Sequence, residues 1–451
     1  MPALPRHATA ARQPIDLGQV ARNSFLILLA IALTGYGTFS RSFAYLGVAP
    51  LFIGEICLGL GLLAVLACRP AALGRIGYLV LPLILFMGWG AMRTVPYIGQ
   101  YKVDALRDGV LWGYGAFAIC LCAVLVNEPQ RFRGVVRFYK AYAIAFLLFT
   151  PLVAVASHVI FHGEGPKAPW ADVSLFTIKG SDLGAHLAGI FAFVVLIKPL
   201  PLWYLVPTMT CIGALMQSSR AAMISFAIGA FATAAQRPKH PLPWSMLATL
   251  VFAFLILMAT EFSWMLPGEK RDLSAENIIQ SIKSVVGDEK HKEMSDTAGW
   301  RKNWWSDIVG YTFGGEYFFT GKGYGVNLAD SDGYQTEFDD DPLRSPHNGH
   351  MTILARSGVP GLALWAAVHL VWGGGMLLAY LRSRRLELVA WERVIFVIGT
   401  LWFVFLFNAS FDVFLEGPMG GIWFWSIFGA GLAATYLSKT EPHLLDEEIE
   451  A

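Results

Sequence analysis

The chain has 451 residues, of which 55% are hydrophobic, 14% aromatic and only 15% charged, with a mean hydropathy of +0.51. By length alone about three soluble domains of ~150 residues would be expected. The composition excludes them and predicts one all-α domain that lives mainly in lipid. A net charge of +1 from 34 Lys plus Arg and 33 Asp plus Glu gives no general attraction to nucleic acid. Cys57, Cys68, Cys120, Cys122 and Cys211 lie in or at the ends of apolar runs, so disulfides are not expected to hold the fold.

Residues 1–20, rich in Pro, Ala and Arg, read as a mobile tail, and the first apolar run continues to Phe39 without a cleavage pattern. A hydrocarbon core of about 30 Å needs roughly 20 apolar residues per helix. That yardstick predicts twelve spans, at 22–40, 46–68, 76–92, 109–126, 141–161, 182–198, 200–217, 221–236, 242–261, 351–381, 394–412 and 419–437. The resulting organisation is a tail (1–20), nine helices (21–261), a large loop (262–346), three helices (347–437) and a second tail (438–451).

Lys and Arg orient this arrangement. With both termini in the cytoplasm, the inside segments carry 17 of them, against 8 in the short connections and helix ends outside. Both termini of this multi-pass chain are therefore expected inside, with the large loop on the outer side. Arg93, Lys102, Arg107, Arg220, Arg301 and His347 then share the outer side, although the count used none of their chemistry. Glu55, inside the second expected span, either pairs with a neighbouring helix or marks a proton path.

Within the loop, Ile278, Ile279, Ile282, Val285 and Val286 stand at helical spacing and predict an amphipathic helix on the membrane surface. Gly299 to Asp307 reads as helical, Gly321-Lys-Gly-Tyr-Gly325 as a turn, and Asp330 to Asp341 as an acidic run. The loop closes on Ser345-Pro346-His347-Asn348. There Ser345 is the expected N-cap and Pro346 the first helical residue, which puts His347 in the first turn, on one face with His350 and Met351.

Taken singly, these residues have ordinary readings. Arg220 can be a snorkelling anchor, Arg301 a solvated charge and His347 a hydrogen-bonded histidine. His347 with His350 suggests zinc, but the His-Glu-x-x-His pattern is absent. Asp330-Ser-Asp332-Gly333 lacks the spacing of a calcium loop, and Gly323-Tyr324-Gly325 lacks the pore helices of a potassium filter. Trp300, Trp304, Trp305, Tyr311 and Tyr324 are candidates either for stacking on sugar rings or for an interfacial aromatic belt.

Taken in order, Gln217-Ser-Ser-Arg220-Ala-Ala-Met-Ile, Trp300-Arg301-x-x-x-Trp305, Gly321-Lys-Gly-Tyr-Gly325, His347-Asn348 and Gly358-Val-Pro-Gly361 resemble the O-antigen ligase and Wzy-type polysaccharide polymerase superfamily, which is GT-C-like. The resemblance covers residues 217–361; upstream, the helices match only in number and polarity. It implies a catalytic set of Arg220, Arg301 and His347, with Asn348, Trp305, Arg107, Lys102 and Tyr324 as candidate substrate contacts. Arg356 stands where the family commonly has an acidic residue.

The chemistry fits the residue types. Guanidinium groups match the oxygens of a polyprenyl diphosphate without losing their own protons, and an imidazole takes the proton of an attacking sugar hydroxyl. No metal or cofactor is expected. The expected partners are an undecaprenyl-diphosphate-linked glycan donor, a glycan or lipid-core acceptor and the lipid bilayer. Direct attack inverts the anomeric carbon. The rival reading, a flippase or exporter of lipid-linked glycans, needs the arginines but no base. The loop holds 15 Asp plus Glu against 9 Lys plus Arg, which repels a phosphorylated lipid core and favours a polymerase over a ligase.

Overall fold

The computed structural model describes residues 16–68, 74, 76–161, 165–176, 179–265, 272–286, 292–335 and 343–450. Most of them are helical. The membrane part comprises α1 (Leu17–Phe39), α2 (Ile53–Leu66), α3 (Gly77–Tyr101), α4 (Val103–Gly113), α5 (Gly115–Asn127), α6 (Arg131–Val155), α7 (Gly180–Leu196), α8 (Leu205–Ser218), α9 (Arg220–Gln236) and α10 (Pro241–Thr260). The loop contributes α11 (Ala275–Val286) and α12 (Lys292–Phe313), and the chain returns through α13 (Gly349–Arg385), α14 (Val389–Asn408) and α15 (Pro418–Thr440).

A helix overlaps each of the twelve expected segments, but they are not twelve alike. Six of the described helices, α1, α3, α6, α10, α13 and α14, are long and apolar enough to cross a membrane, and a seventh span arises if α4 and α5, bent by 44°, count as one. The others fall short for physical reasons. At ~1.5 Å per residue, the 14-residue α2 and the 17-residue α7 rise only about 21 and 26 Å. The 23-residue α15 is long enough, but it is diluted by Gly, Ser and Thr because it is an inner helix. A Cβ at Gly429 would lie 2.6 Å from the carbonyl oxygen of Ala118 on α5, so only glycine allows that approach. The equally buried α7 packs against α9 in the same way, through Gly184 at the backbone of Ala222.

Polar groups gather at the two ends of the bundle. At one end Arg22 and Arg131 both pair with Glu128, and Arg133 meets Glu447 at 2.8 Å. The segment after α15 is docked there, with Leu444, Leu445 and Ile449 buried, whereas the sequence suggested only a tail. At the other end lie the loop and most of the residues singled out for chemistry. Glu55 pairs inside the bundle: it accepts bonds from Tyr114 Oη, at the bend between α4 and α5, at 2.7 Å and from the amide of Phe52 at 3.2 Å. All five cysteines are free.

The loop has a small core of its own, formed by Trp304 and Ile308 of α12 with Leu328 and Ala329, and it rests on Leu354 and Ala355 of α13. The amphipathic helix is present as α11, and Gly299 to Asp307 lies within α12, as expected. Residues 336–342 of the acidic run, and 1–15 of the expected N-terminal tail, lie outside the described residues.

Candidate active site

The site rests on a break in α13. Gly358 has φ 67°, outside the helical range, and residue 360 is a proline without an N–H. In an unbroken helix the carbonyl of Ala355 would take the amide of Val359, and that of Arg356 would face the nitrogen of Pro360. Here the amide of Val359 turns away to Phe318 O at 2.8 Å. The freed carbonyls bond to the loop instead: Ala355 O accepts from the amide of Lys322 at 2.7 Å and Arg356 O from that of Gly323 at 3.0 Å. Ser357 O accepts from Trp89 Nε1 at 2.9 Å. Gly321, itself at φ 55°, leaves no room for a side chain, since a Cβ would meet the Arg356 carbonyl carbon at 2.4 Å. The two glycine motifs, Gly321 to Gly325 and Gly358 to Gly361, are thus the two halves of one clasp.

Arg356 locks that clasp. Only 1% exposed, it reaches Asp108 of α4 at 2.9 Å and the carbonyls of Val326 and Gly323 at 2.9 and 3.3 Å. Asp108 also accepts from the amide of Gly325 at 2.9 Å and pairs with Arg344 at 3.2 Å. A buried guanidinium answered by a carboxylate on another helix accounts for a basic residue at this position.

His347 sits just ahead of the helix, not in its first turn. Asn348 is the N-cap, its Oδ1 accepting from the amides of His350 at 2.9 Å and Met351 at 3.1 Å, and the helix begins at Gly349. Ser345 is buried and caps nothing. His347 has φ 51°, a left-handed conformation that costs a non-glycine residue about 1–3 kcal/mol and persists only where its surroundings fix it. Those surroundings are explicit. Trp305 Nε1 donates to Pro346 O at 2.9 Å on one side of the turn, and the amide of Gly349 donates to Ala409 O at 2.7 Å on the other. Glu416 then takes Thr352 Oγ1 at 2.8 Å. Burial pushes the Glu416 carboxyl up from its ordinary pKa, opposed by Arg356 and by the hydroxyls of Thr352 and Ser345.

The connection Ala409–Gly417 between α14 and α15 brings the charged groups together. Arg301 Nη1 donates to Phe411 O at 3.3 Å. The next residue, Asp412, faces His347 Nδ1 at 3.9 Å, a charge-pairing distance too long for a hydrogen bond, and pairs with Lys179 at 2.6 Å. Burial alone would raise the Asp412 carboxyl, but the His347 imidazole, the Lys179 ammonium and the Ser181 hydroxyl hold it well below the usual carboxylate range. Burial likewise lowers the pKa of Arg301, with Asp412 opposing. Arg220 opens α9 behind the cap Ser219 at the same end. One turn further, Ser225 Oγ donates to Asn408 Oδ1 at 2.8 Å, and Asn408 Nδ2 donates to Ser181 O at 2.9 Å. The helix that Arg220 opens is thereby pinned to the residue that ends α14.

The remaining expected contacts divide. Asn348 and Trp305 border His347 and shape its turn, Asn348 with its carbonyl committed to the cap. Tyr324 is buried, its hydroxyl bonded to Ser357 Oγ at 2.8 Å, so it supports the clasp and presents nothing to a sugar. Lys102 and Arg107 are exposed where α3 meets α4, and no contact among the described residues ties them to Arg301 or His347. Trp304 is likewise core, stacked on Tyr334 with its Nε1 on Asp332 at 2.6 Å.

Asp332 also meets Lys322 and Tyr311, which commits the carboxylate of the supposed calcium loop. Both ring nitrogens of His350 are engaged, by Ser410 Oγ at 3.1 Å and Trp365 Nε1 at 2.9 Å, which disfavours the zinc pairing. No group of three or more His, Cys, Asp or Glu able to hold a metal occurs among the described residues.

Residues 205–366 match the family model described as O-antigen ligase. The resemblance to the O-antigen ligase and Wzy-type superfamily is therefore shown over this segment, which runs from α8 into α13. No curated protein matches the chain. The O-antigen ligase segment contains Arg220, Arg301 and His347 but neither Lys179, Asp412 nor Glu416. Those three were missed in the sequence. The available signal was their position: charges in short connections between apolar helices, on the side assigned to His347. Coarsely, the chain is a multi-pass membrane protein whose residues 205–366 are similar to the O-antigen ligase family.

Proposed function

We propose that this protein is an inverting glycosyltransferase that moves a glycan from undecaprenyl diphosphate to an acceptor sugar at the periplasmic face of a bacterial inner membrane, with its helices crossing the bilayer about twelve times. The observation that carries this reading is the meeting of Arg301 and His347 on two consecutive residues, Phe411 and Asp412. Arg301 and Arg220 hold the diphosphate of the donor through charge-assisted hydrogen bonds. His347 takes the proton from the acceptor hydroxyl as its oxygen forms the new bond to the anomeric carbon. The old bond from that carbon to the diphosphate oxygen breaks, and the diphosphate leaves with the electron pair. Asp412 stabilises the imidazolium formed in that step.

A base so placed contributes roughly 10² to 10⁴ in rate. The test is purified protein with a lipid-linked oligosaccharide in the presence of chelator, followed by product sizing. Wild type is expected to yield extended glycan, and folded His347→Ala to lose about 10²-fold or more of that activity. Wild-type turnover by His347→Ala would remove the base; binding and translocation of the lipid without any product would favour a carrier. The acidic loop supports a repeat-unit glycan as acceptor, hence a polymerase. A deletion strain should then accumulate single lipid-linked repeats; long lipid-linked chains would identify a ligase.

A further inference from the structure

An apolar cleft in the bundle lies away from the end that carries Arg301 and His347. α1 and α6 touch where Gly37 meets Tyr142, so closely that a Cβ there would stand 2.2 Å from the tyrosine hydroxyl. Toward the end of the bundle remote from the loop, the two helices leave an apolar cleft of about 300 Å³ between them. Ile27 and Ala30 form one wall, Gly134 and Val135 the other, and Leu401 and Trp423 lie among the residues of its floor. Arg131, the first residue of α6, also lines it, its Nε paired with Glu128.

We infer that this cleft holds one acyl chain of a phospholipid from the leaflet opposite the loop, with the lipid phosphate against Arg131. Three observations select that occupant. The walls are almost wholly apolar, so water inside would find few hydrogen-bond partners. Left empty, the walls would forfeit their dispersion contacts. The outer edges, at Ile27 and Gly134, are exposed on helices that are themselves of membrane-spanning type, so the adjoining medium is hydrocarbon. A flexible chain entering from the bilayer fills the space, and the guanidinium at this end of α6 complements the phosphate that every phospholipid carries.

The test is native mass spectrometry of the full-length protein in detergent, with dioleoyl-phosphatidylglycerol added. Wild type is expected to retain one lipid per chain after the annular lipid has been stripped. Val135→Trp fills the cleft and should reduce retention at least tenfold. Gly134→Leu does so more gently, because no atom lies within 4 Å of the Cβ it would gain. Arg131→Gln should lower retention without abolishing it. A wild type that keeps no lipid, or filled variants of wild-type thermal stability that keep as much, would overturn the assignment. The readout is bound lipid and not product, so this result is independent of the transfer reaction; His347→Ala is expected to retain lipid as wild type does.

Discussion

At the scale of single residues, the connection Ala409–Gly417 carries two carboxyls that the fold treats in opposite ways. Asp412 is held ionised by His347, Lys179 and Ser181 against the effect of its burial, whereas burial raises Glu416. The consequences for stability have opposite signs. A depressed folded pKa contributes stability above the unfolded value of about 3.9, and that stability is lost as pH falls through the folded value. Asp412→Asn should therefore lower stability by about 1–3 kcal/mol at neutral pH, and the deficit should shrink as the medium is acidified below about pH 4. For Glu416 the raised folded pKa favours the protonated form. Glu416→Gln should be tolerated at neutral pH, and its advantage over wild type should diminish on acidification. Thermal melts of the detergent-solubilised protein across pH check both, and parallel curves for the two variants would contradict this picture.

At the scale of elements, the clasp between the loop and α13 explains which parts of the pattern were legible in sequence. The glycines of 321–325 and 358–361 were visible as motifs, yet their partnership was not, because it consists of backbone bonds between segments far apart in the chain. Arg356 was visible only as a departure, since nothing local points to Asp108 on α4. Around His347 the rules of helix starts were sound but chose the wrong cap. Ser345-Pro346 and Asn348 both satisfy them, and the structure selects Asn348, whose Oδ1 reaches two amides. Gly358→Ala tests the clasp directly. Its Cβ would lie 2.5 Å from Phe318 O at a φ of 67°, so a loss of about 1–3 kcal/mol is expected. Limited proteolysis should show the loop cut faster while the helices stay intact; equal cleavage of both proteins would mean that the break is incidental.

At the scale of the whole molecule, each apolar run overlaps a described helix, but the ends are misplaced. The yardstick measures hydrocarbon, and helices continue past it. α3 runs on to Tyr101 and α6 begins at Arg131, where polar residues ended the expected spans at 92 and began them at 141. The same yardstick cannot separate a lipid-facing helix from a buried one, so the inner helices α7 and α15 looked like ordinary spans. It was also silent about the segment after α15, which packs at the far end through Leu445 while Arg137 pairs with Glu448 at the surface. Leu445→Ala should cost about 2–5 kcal/mol through the cavity it leaves, whereas Arg137→Ala should leave the melting temperature nearly unchanged. The reverse order would mean that charge, and not packing, docks this segment.

The proline at position 360 has a further effect on how this protein can move. Were the loop to lift away, an ordinary helix could heal by drawing its own amides back onto the vacated carbonyls. At Arg356 the healing donor does not exist, so undocking leaves a backbone acceptor with no partner in its own helix. The loop and the membrane helices should accordingly travel as one piece, and any opening that admits a bulky glycan must be sought at a seam other than this one.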